Sequence, residues 1–346
     1  METLLNELLS KIYKISNADF VHKDNKADGI QFFSNNDAIR LDRYYEFWRN
    51  QIRYSVSNNQ LLSNGWAFST LGGLSSFERH IRTNPIIRNI YYNKGGEIAL
   101  TLEKISENLS NIYSLGGVML YGYGNLFRES YFIEQAKILH LLKSQRIYLI
   151  DCSLFYHIFA NSQLNPLRNI IKAKQIKTLL LDYLDDPNSR SSLVYARDDL
   201  NPTRPVLHLF LGNTFGNIEP NLLKSSLNNV VRAGDIVIGE YALHTEDFFK
   251  DTSDDYVTEM AIIATSELFS IPIDSVKARY KITVPDYKYI EIEFPDKRYD
   301  QPLFFKSMLR RNFSYTELTK GEYELISNES ALTGTIKLDA FRRLSN

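Results

Sequence analysis

The sequence predicts an α/β fold: a parallel sheet covered by helices on both faces and finished by an antiparallel hairpin. Three observations predict it. From about residue 86, short apolar runs of β character alternate with longer segments of helical period. Successive runs stop abruptly in glycine, an acid or an amide, as buried strands do where an open α/β sheet meets a ligand crevice. The tail carries two further β-patterned runs, 323–327 and 333–338, separated by Asn328-Glu329-Ser330, which read as a hairpin.

Taken in order, Leu4, Leu5, Leu8, Leu9 and Ile12 recur at helical spacing and predict an amphipathic helix over 3–14. The polar stretch 17–36 reads as a loop or linker. A second helix is expected over 36–55, carrying Ile39, Leu41, Tyr45 and Trp48. Residues 1–60 thus form an N-terminal helical extension, open to two uses: capping the main domain or pairing two copies as a homodimer.

A long helix follows over 96–111, with Ile98, Leu100, Leu102, Ile105 and Leu109 as its apolar positions. The run 117–121 is a strand closed by Gly122-Tyr123-Gly124. A helix over 131–144 turns Ile133, Ala136, Ile138, Leu139 and Leu142 inward. The run 146–151 is a strand ending in an acid, and a helical segment through Phe155, Ile158 and Phe159 leads to a second such strand, 176–182. Strand 206–211, helix 222–231 and strand 235–239 complete the alternation. Residues 244–311 break the rhythm with a helix over 257–269 and β-like runs at 278–284 and 287–294, which predicts an inserted α+β lid that chooses the substrate. The main domain is therefore assigned to 61–243 and 312–346.

Composition narrows the function. Lys and Arg number 40 against 41 Asp and Glu, a balance that gives no electrostatic case for nucleic acid or an anionic membrane. Cys152 is the single cysteine, so neither an internal disulfide nor a cysteine-rich zinc site is expected. No HExxH or CxxC occurs, and no metal is predicted. The first fifteen residues alternate Leu and Ile with polar residues, without the apolar core of a signal peptide, and no run of about 18 apolar residues marks a membrane span. The expectation is a cytoplasmic protein acting on a small molecule.

The strand ends carry the chemistry. Gly122-Tyr123-Gly124 is a short GxG after a strand. Asp151 closes the next strand, where a carboxylate can accept both hydroxyls of a ribose. Asp182 closes the one after, placed to accept from an adenine amino group, with Tyr183 beside it to stack on the ring. The run 207–211 ends in Gly212-Asn213-Thr214-Phe215-Gly216-Asn217, where glycine allows close backbone approach and asparagine both donates and accepts. Phe127 occupies the third glycine position of GxGxxG, which argues against a dinucleotide fingerprint. Neither a P-loop nor a GxSxG elbow is present. His208, inside an apolar strand, reads as a hydrogen-bonded core residue.

Residues 210–217 resemble the FLGxTIGN signature of the histidine-specific, S-adenosylmethionine-dependent methyltransferase family of ergothioneine-pathway type. Tyr91-Tyr92-Asn93-Lys94 with Glu97 resembles its YYxTRxE segment, 118–124 falls at its LVELGSG position, and Arg128 stands where it has a lysine. Residues 148–153 resemble its P-x-DVS strand, Leu181-Asp182-Tyr183 its GDF motif, and 227–239 its L-x-PGD-x-LLLG run. The similarity runs in consistent order over roughly residues 66–270, as in a diverged member.

The resemblance implies a Rossmann-like class I methyltransferase fold and S-adenosylmethionine as cofactor. It implies cofactor contacts at Gly122, Gly124, Arg128, Asp151, Cys152, Asp182, Tyr183, Gly212 and Asn213, with Asn217 and Tyr91 orienting the acceptor as the catalytic residues. The activity implied is N-methylation of a small amino-acid-like molecule. Three departures stand out. Leu120 replaces the family's acid in the first strand, Tyr123 puts a ring where a small residue leaves room, and Lys306 lies where an amine-holding carboxylate belongs. They keep open an alternative: a non-catalytic protein of the same fold that binds the cofactor or a protein partner.

Overall fold

A computed structural model describes residues 41–85, 97–110, 114–124, 126–138, 146–157, 176–180, 187–200, 203–212, 215, 218, 220–242, 254–283, 287–311, 322–330 and 336–345. The apolar runs pair as expected. Strands β2 (Gly117–Tyr121), β3 (Ile147–Asp151), β4 (Ile176–Leu180), β5 (Val206–Phe210) and β6 (Ile236–Ala242) are joined by parallel ladders. Every residue of β2, β3 and β5 is buried, which explains their continuous rather than alternating hydrophobicity.

The tail hairpin is longer than its sequence pattern. Strands β10 (Tyr323–Ser330) and β11 (Ile336–Arg343) pair antiparallel, and β11 inserts between β10 and β6, antiparallel to both. The seven-stranded order is β10-β11-β6-β5-β2-β3-β4. The chain runs from β2 outward to β4, then returns to the other side of β2 to place β5. The reversal between β2 and β5 is the topological switch point, where the crevice of an open sheet lies.

Helices cover both faces. On one, α3 (Glu97–Ser110) and α4 (Phe127–Ile138) pack Leu102, Ile105, Phe132 and Ile133 against Leu120, Leu149 and Leu209. On the other, α5 (Pro187–Leu200) and α6 (Pro220–Val230) pack Leu193, Ala196 and Leu227 against Tyr148, Phe210 and Val237. Helix α4 begins four residues before the sequence pattern places it, directly out of the glycine loop. Helix α5 escapes the pattern altogether, although Pro187 at its first position is a start signal.

A second unit differs from the inserted lid expected at 244–311. Its helix α7 (Asp254–Phe269) and strands β7 (Lys277–Thr283), β8 (Tyr287–Phe294) and β9 (Leu303–Arg311) are joined by α1 (Leu41–Ser57), β1 (Leu61–Leu62) and α2 (Leu71–Thr83). The sheet order is β1-β9-β8-β7, with β1 parallel to β9. The Trp66 indole donates to Ser307 Oγ at 2.9 Å, and Trp48, Ile52, Leu74, Ala264, Leu268, Ile292 and Phe294 share one core. Residues on both sides of the division at residue 60 contribute to this unit, since α1 and β1 pack in one core with 254–311. The helix expected over 3–14 lies outside the described residues.

Candidate functional site

Three chain segments converge at the switch point. The first is the loop after β2. Gly122 and Gly124 take φ of 57° and 54°, left-handed values that glycine adopts without a Cβ penalty. Leu126 shares that conformation at φ 63°, at a cost of roughly 1–2 kcal/mol for a residue with a side chain. Its complete burial offsets that strain, and its carbonyl accepts from Ser130 to start α4. Tyr123 does not fill the space opened by the glycines, as its position in the motif suggests. Its ring points into the core beside Leu120 and Leu126.

The second segment follows β3. Asp151 is buried, and its carboxylate accepts from the Ser153 amide at 2.8 Å and the Gly124 amide at 3.3 Å. Burial pushes its pKa up to about 6, partly offset by those amide hydrogen bonds. His157 lies behind it. His157 Nε2 sits 3.1 Å from the Asp151 carbonyl, and Nδ1 lies 2.5 Å from the Tyr123 hydroxyl. A carbonyl only accepts, so Nε2 carries the proton and Nδ1 accepts from Tyr123. Burial lowers the His157 pKa to about 4, keeping the ring neutral. The loops after β2 and β3 are thus locked together from below.

The third segment follows β5. The Gly212 amide donates to Glu240 Oε2 at 3.1 Å, and Glu240 also pairs with the Arg128 guanidinium. A β-carbon at Gly212 would stand 3.3 Å from that guanidinium. Arg128 therefore ties α4 to the β5 loop. Glu129, the next residue, is buried; desolvation raises its pKa to about 7 against the opposing pull of Arg128. Glu129 lies within electrostatic reach of Glu240 and Asp151, and Arg128 pairs with Glu240. Sequence reading missed Glu240 and Glu129. Glu240 lies one residue past the strand end read at Gly239, and Glu129 in the first turn of a helix, where acids favour the dipole.

Of the residues singled out in the sequence, the structure brings together Gly122, Gly124, Arg128, Asp151 and Gly212. Cys152 is adjacent, but its sulfur faces the second unit, 3.0 Å from where a β-carbon on Gly65 would lie. Tyr91, Asp182, Tyr183, Asn213 and Asn217 lie outside the described residues. Lys306 lies on β9 with its ammonium 5.5 Å over the Tyr289 ring. His208 is a core residue, as read: it meets Tyr121 at 2.9 Å and the Asp235 carboxylate at 3.3 Å, and Arg197 holds that carboxylate through two 2.7 Å bonds. Among the described residues no group of three or more His, Cys, Asp or Glu side chains is set to hold a metal ion, and no helix is long and apolar enough to cross a membrane.

The second unit grips the β3 loop directly. The Tyr44 hydroxyl donates to the Cys152 carbonyl at 2.8 Å and accepts from the Leu154 amide at 3.2 Å. Ser153 Oγ donates to the Phe68 carbonyl at 2.6 Å. Leu154, Phe155 and Tyr156 complete the same core as Trp48 and Trp66.

The strand order, with its last strand inserted antiparallel, is that of the Rossmann-like class I methyltransferase sheet. No protein-family model matches the chain, so the histidine-specific family is not shown. No curated protein matches it either. Solved structures overlap it loosely. An S-adenosylmethionine-dependent methyltransferase from Clostridium acetobutylicum ATCC 824 is 12% identical with a TM-score of 0.41, covering 79% of this chain and 99% of its own. The complex of DhpI with SAH is 12% identical with a TM-score of 0.42, covering 82% and 100%. CalS10, an amino pentose methyltransferase from Micromonospora echinaspora, is 9% identical with a TM-score of 0.37, covering 78% and 96%. Strand order and register, not these overlaps, carry the fold assignment.

Proposed function

We propose that this chain is an S-adenosylmethionine-dependent methyltransferase acting on an amine of a small, amino-acid-like molecule. The observation that carries the reading is Asp151, held by the amides of Gly124 and Ser153 at the end of β3 beside the glycine loop of the switch point. A carboxylate there has lone pairs left for the two hydroxyls of a ribose. Bound in this crevice, the cofactor supplies an electrophilic methyl group on a positively charged sulfur.

The protein's own task is alignment and exclusion of water, since methyl transfer needs little acid–base help. The glycine loop lets backbone amides approach the ligand, and the Arg128–Glu240 pair fixes the β5 loop opposite. Asp182 and Tyr183 are assigned to the adenine, Asn213 to the cofactor, and Asn217 and Tyr91 to the acceptor, on their places in the sequence. Calorimetric titration with S-adenosylhomocysteine tests the reading. Wild type should bind, and Asp151→Ala or Asp182→Ala should weaken binding by about 10- to 100-fold, the worth of hydrogen bonds to a charged group. Absence of binding up to millimolar concentration would return the chain to the non-catalytic alternative.

A further inference from the structure

Tyr123 stands between the two glycines of the β2 loop, yet its ring is buried in the core with Leu120 and Leu126 and its hydroxyl reaches His157 Nδ1 at 2.5 Å. Burial pushes the phenol well above its ordinary pKa, so the hydroxyl keeps its proton and donates. His157 passes the contact on, since Nε2 donates to the Asp151 carbonyl at 3.1 Å. Two further bonds zip the same loops together. The Gly122 amide donates to the Ile150 carbonyl at 2.8 Å, and the Gly124 amide to the Asp151 carboxylate at 3.3 Å. The His157 amide in turn donates to the Ser153 carbonyl at 3.3 Å, while the Ser153 amide holds the other carboxylate oxygen of Asp151 at 2.8 Å.

Asp151 is thus held twice, by amides at its carboxylate and by His157 at its carbonyl. A carboxylate that must meet two neighbouring hydroxyls at once depends on placement, because hydrogen bonds weaken steeply away from good distance and angle. Phenylalanine would fill the core as Tyr123 does, so the hydroxyl is what the core does not require. A neutral imidazole accepts that hydroxyl on one nitrogen and donates from the other, which carries the fix from the glycine loop to the Asp151 main chain. We infer that Tyr123 and His157 are positioning residues for a ribose, acting through the Asp151 main chain to set its carboxylate against the glycine loop so that it accepts both hydroxyls. This inference deepens the methyltransferase reading and rests on it. It also gives a task to the ring at position 123, where the family that the sequence resembles has a small residue.

The test compares S-adenosylhomocysteine with its 2′,3′-dideoxy analogue by calorimetric titration of the full chain. Wild type should prefer the ribose form by about 10- to 100-fold, and Asp151→Ala should reduce that preference to about one. Tyr123→Phe should lower the preference by about 3- to 10-fold while the dideoxy analogue binds within about twofold of wild type. His157→Phe, which removes the bond to Asp151 as well, should lower it at least as far, and it decides the matter should Tyr123→Phe not fold. A merely structural role would weaken both ligands alike and leave the preference where it was. A wild-type preference retained in these two variants therefore overturns the positioning role, whatever their stability. Failure of wild type to bind S-adenosylhomocysteine overturns the methyltransferase reading instead, and the inference falls with it.

Discussion

The ring of Phe215 lies against the backbone of Gly239 so closely that a β-carbon there would stand 2.0 Å from a ring carbon. Phe215 belongs to the loop after β5 and Gly239 to the middle of β6, so this contact seats the loop on the sheet. Gly239→Ala should cost about 1–3 kcal/mol, the usual penalty for overpacking a dense core. Urea denaturation should show the loss, and Phe215→Leu in the same chain should relieve part of it. Strictly additive losses in the double variant would mean that the ring does not depend on the glycine.

Asp151 and His157 touch through a backbone carbonyl, yet their titrations act on stability in opposite directions. Asp151 has a folded pKa of about 6, above its unfolded value near 3.9. Its contribution is present below pH ~4 and lost as pH rises through 6. His157 has a folded pKa of about 4, below the unfolded ~6.5. Its contribution is present above 6.5 and lost as pH falls toward 4. Relative to wild type, Asp151→Asn should therefore gain stability, by about 1–3 kcal/mol, on going from pH 4 to pH 7. His157→Gln should gain on going from pH 7 to pH 4. Parallel pH profiles for both variants and wild type would refute the assignment.

Tyr44→Phe removes one hydroxyl and strands two buried backbone groups, the Cys152 carbonyl and the Leu154 amide. The expected loss is about 1–3 kcal/mol. Because those groups flank Ser153, whose amide holds Asp151, S-adenosylhomocysteine affinity should fall as well. A stability loss with unchanged affinity would show that the second unit does not position the β3 loop.

Asp235 is the buried anchor beneath β5 and β6. Burial alone would raise its pKa, but hydrogen bonds from His208 and Arg197 outweigh that and lower it to about 2. Its stabilisation is present above pH ~4 and lost as pH falls toward 2. Asp235→Asn should remove that acid-sensitive component and destabilise the protein at pH 7 by about 3–5 kcal/mol, since Arg197 is left buried without its partner. Acid denaturation followed by circular dichroism reads both effects, and an unchanged acid limb in the variant would count against the network.

The centre of the sheet was legible because β2, β3 and β5 are continuous apolar runs bounded by turn residues and buried on both faces. Asp151 and the glycine loop were legible for the same reason: they sit where such a run stops. Glu240 was hidden by a strand that continues past the glycine at 239. The second unit was hidden for a different reason. The two-residue strand β1 has no periodicity of its own, and its partner β9 carries Lys306, Arg310 and Arg311 among its apolar residues. Their pairing is a property of distant chain, not of either segment.

Trp66 and its hydrogen-bond partner Ser307 are 241 residues apart in the chain. At about 5–20 residues per second of synthesis, α1 and Trp66 leave the ribosome roughly 10–50 s before β9 exists to cover them. The five parallel strands β2 to β6 are made in that interval, before β9, β10 and β11, while Trp48 and Trp66 wait for the layer that covers them. The newborn chain is therefore most open to chaperone capture or mispairing at its amino-terminal end. The β3 loop, gripped by Tyr44 and Phe68 in the finished protein, takes its final form only after most of the chain has been made.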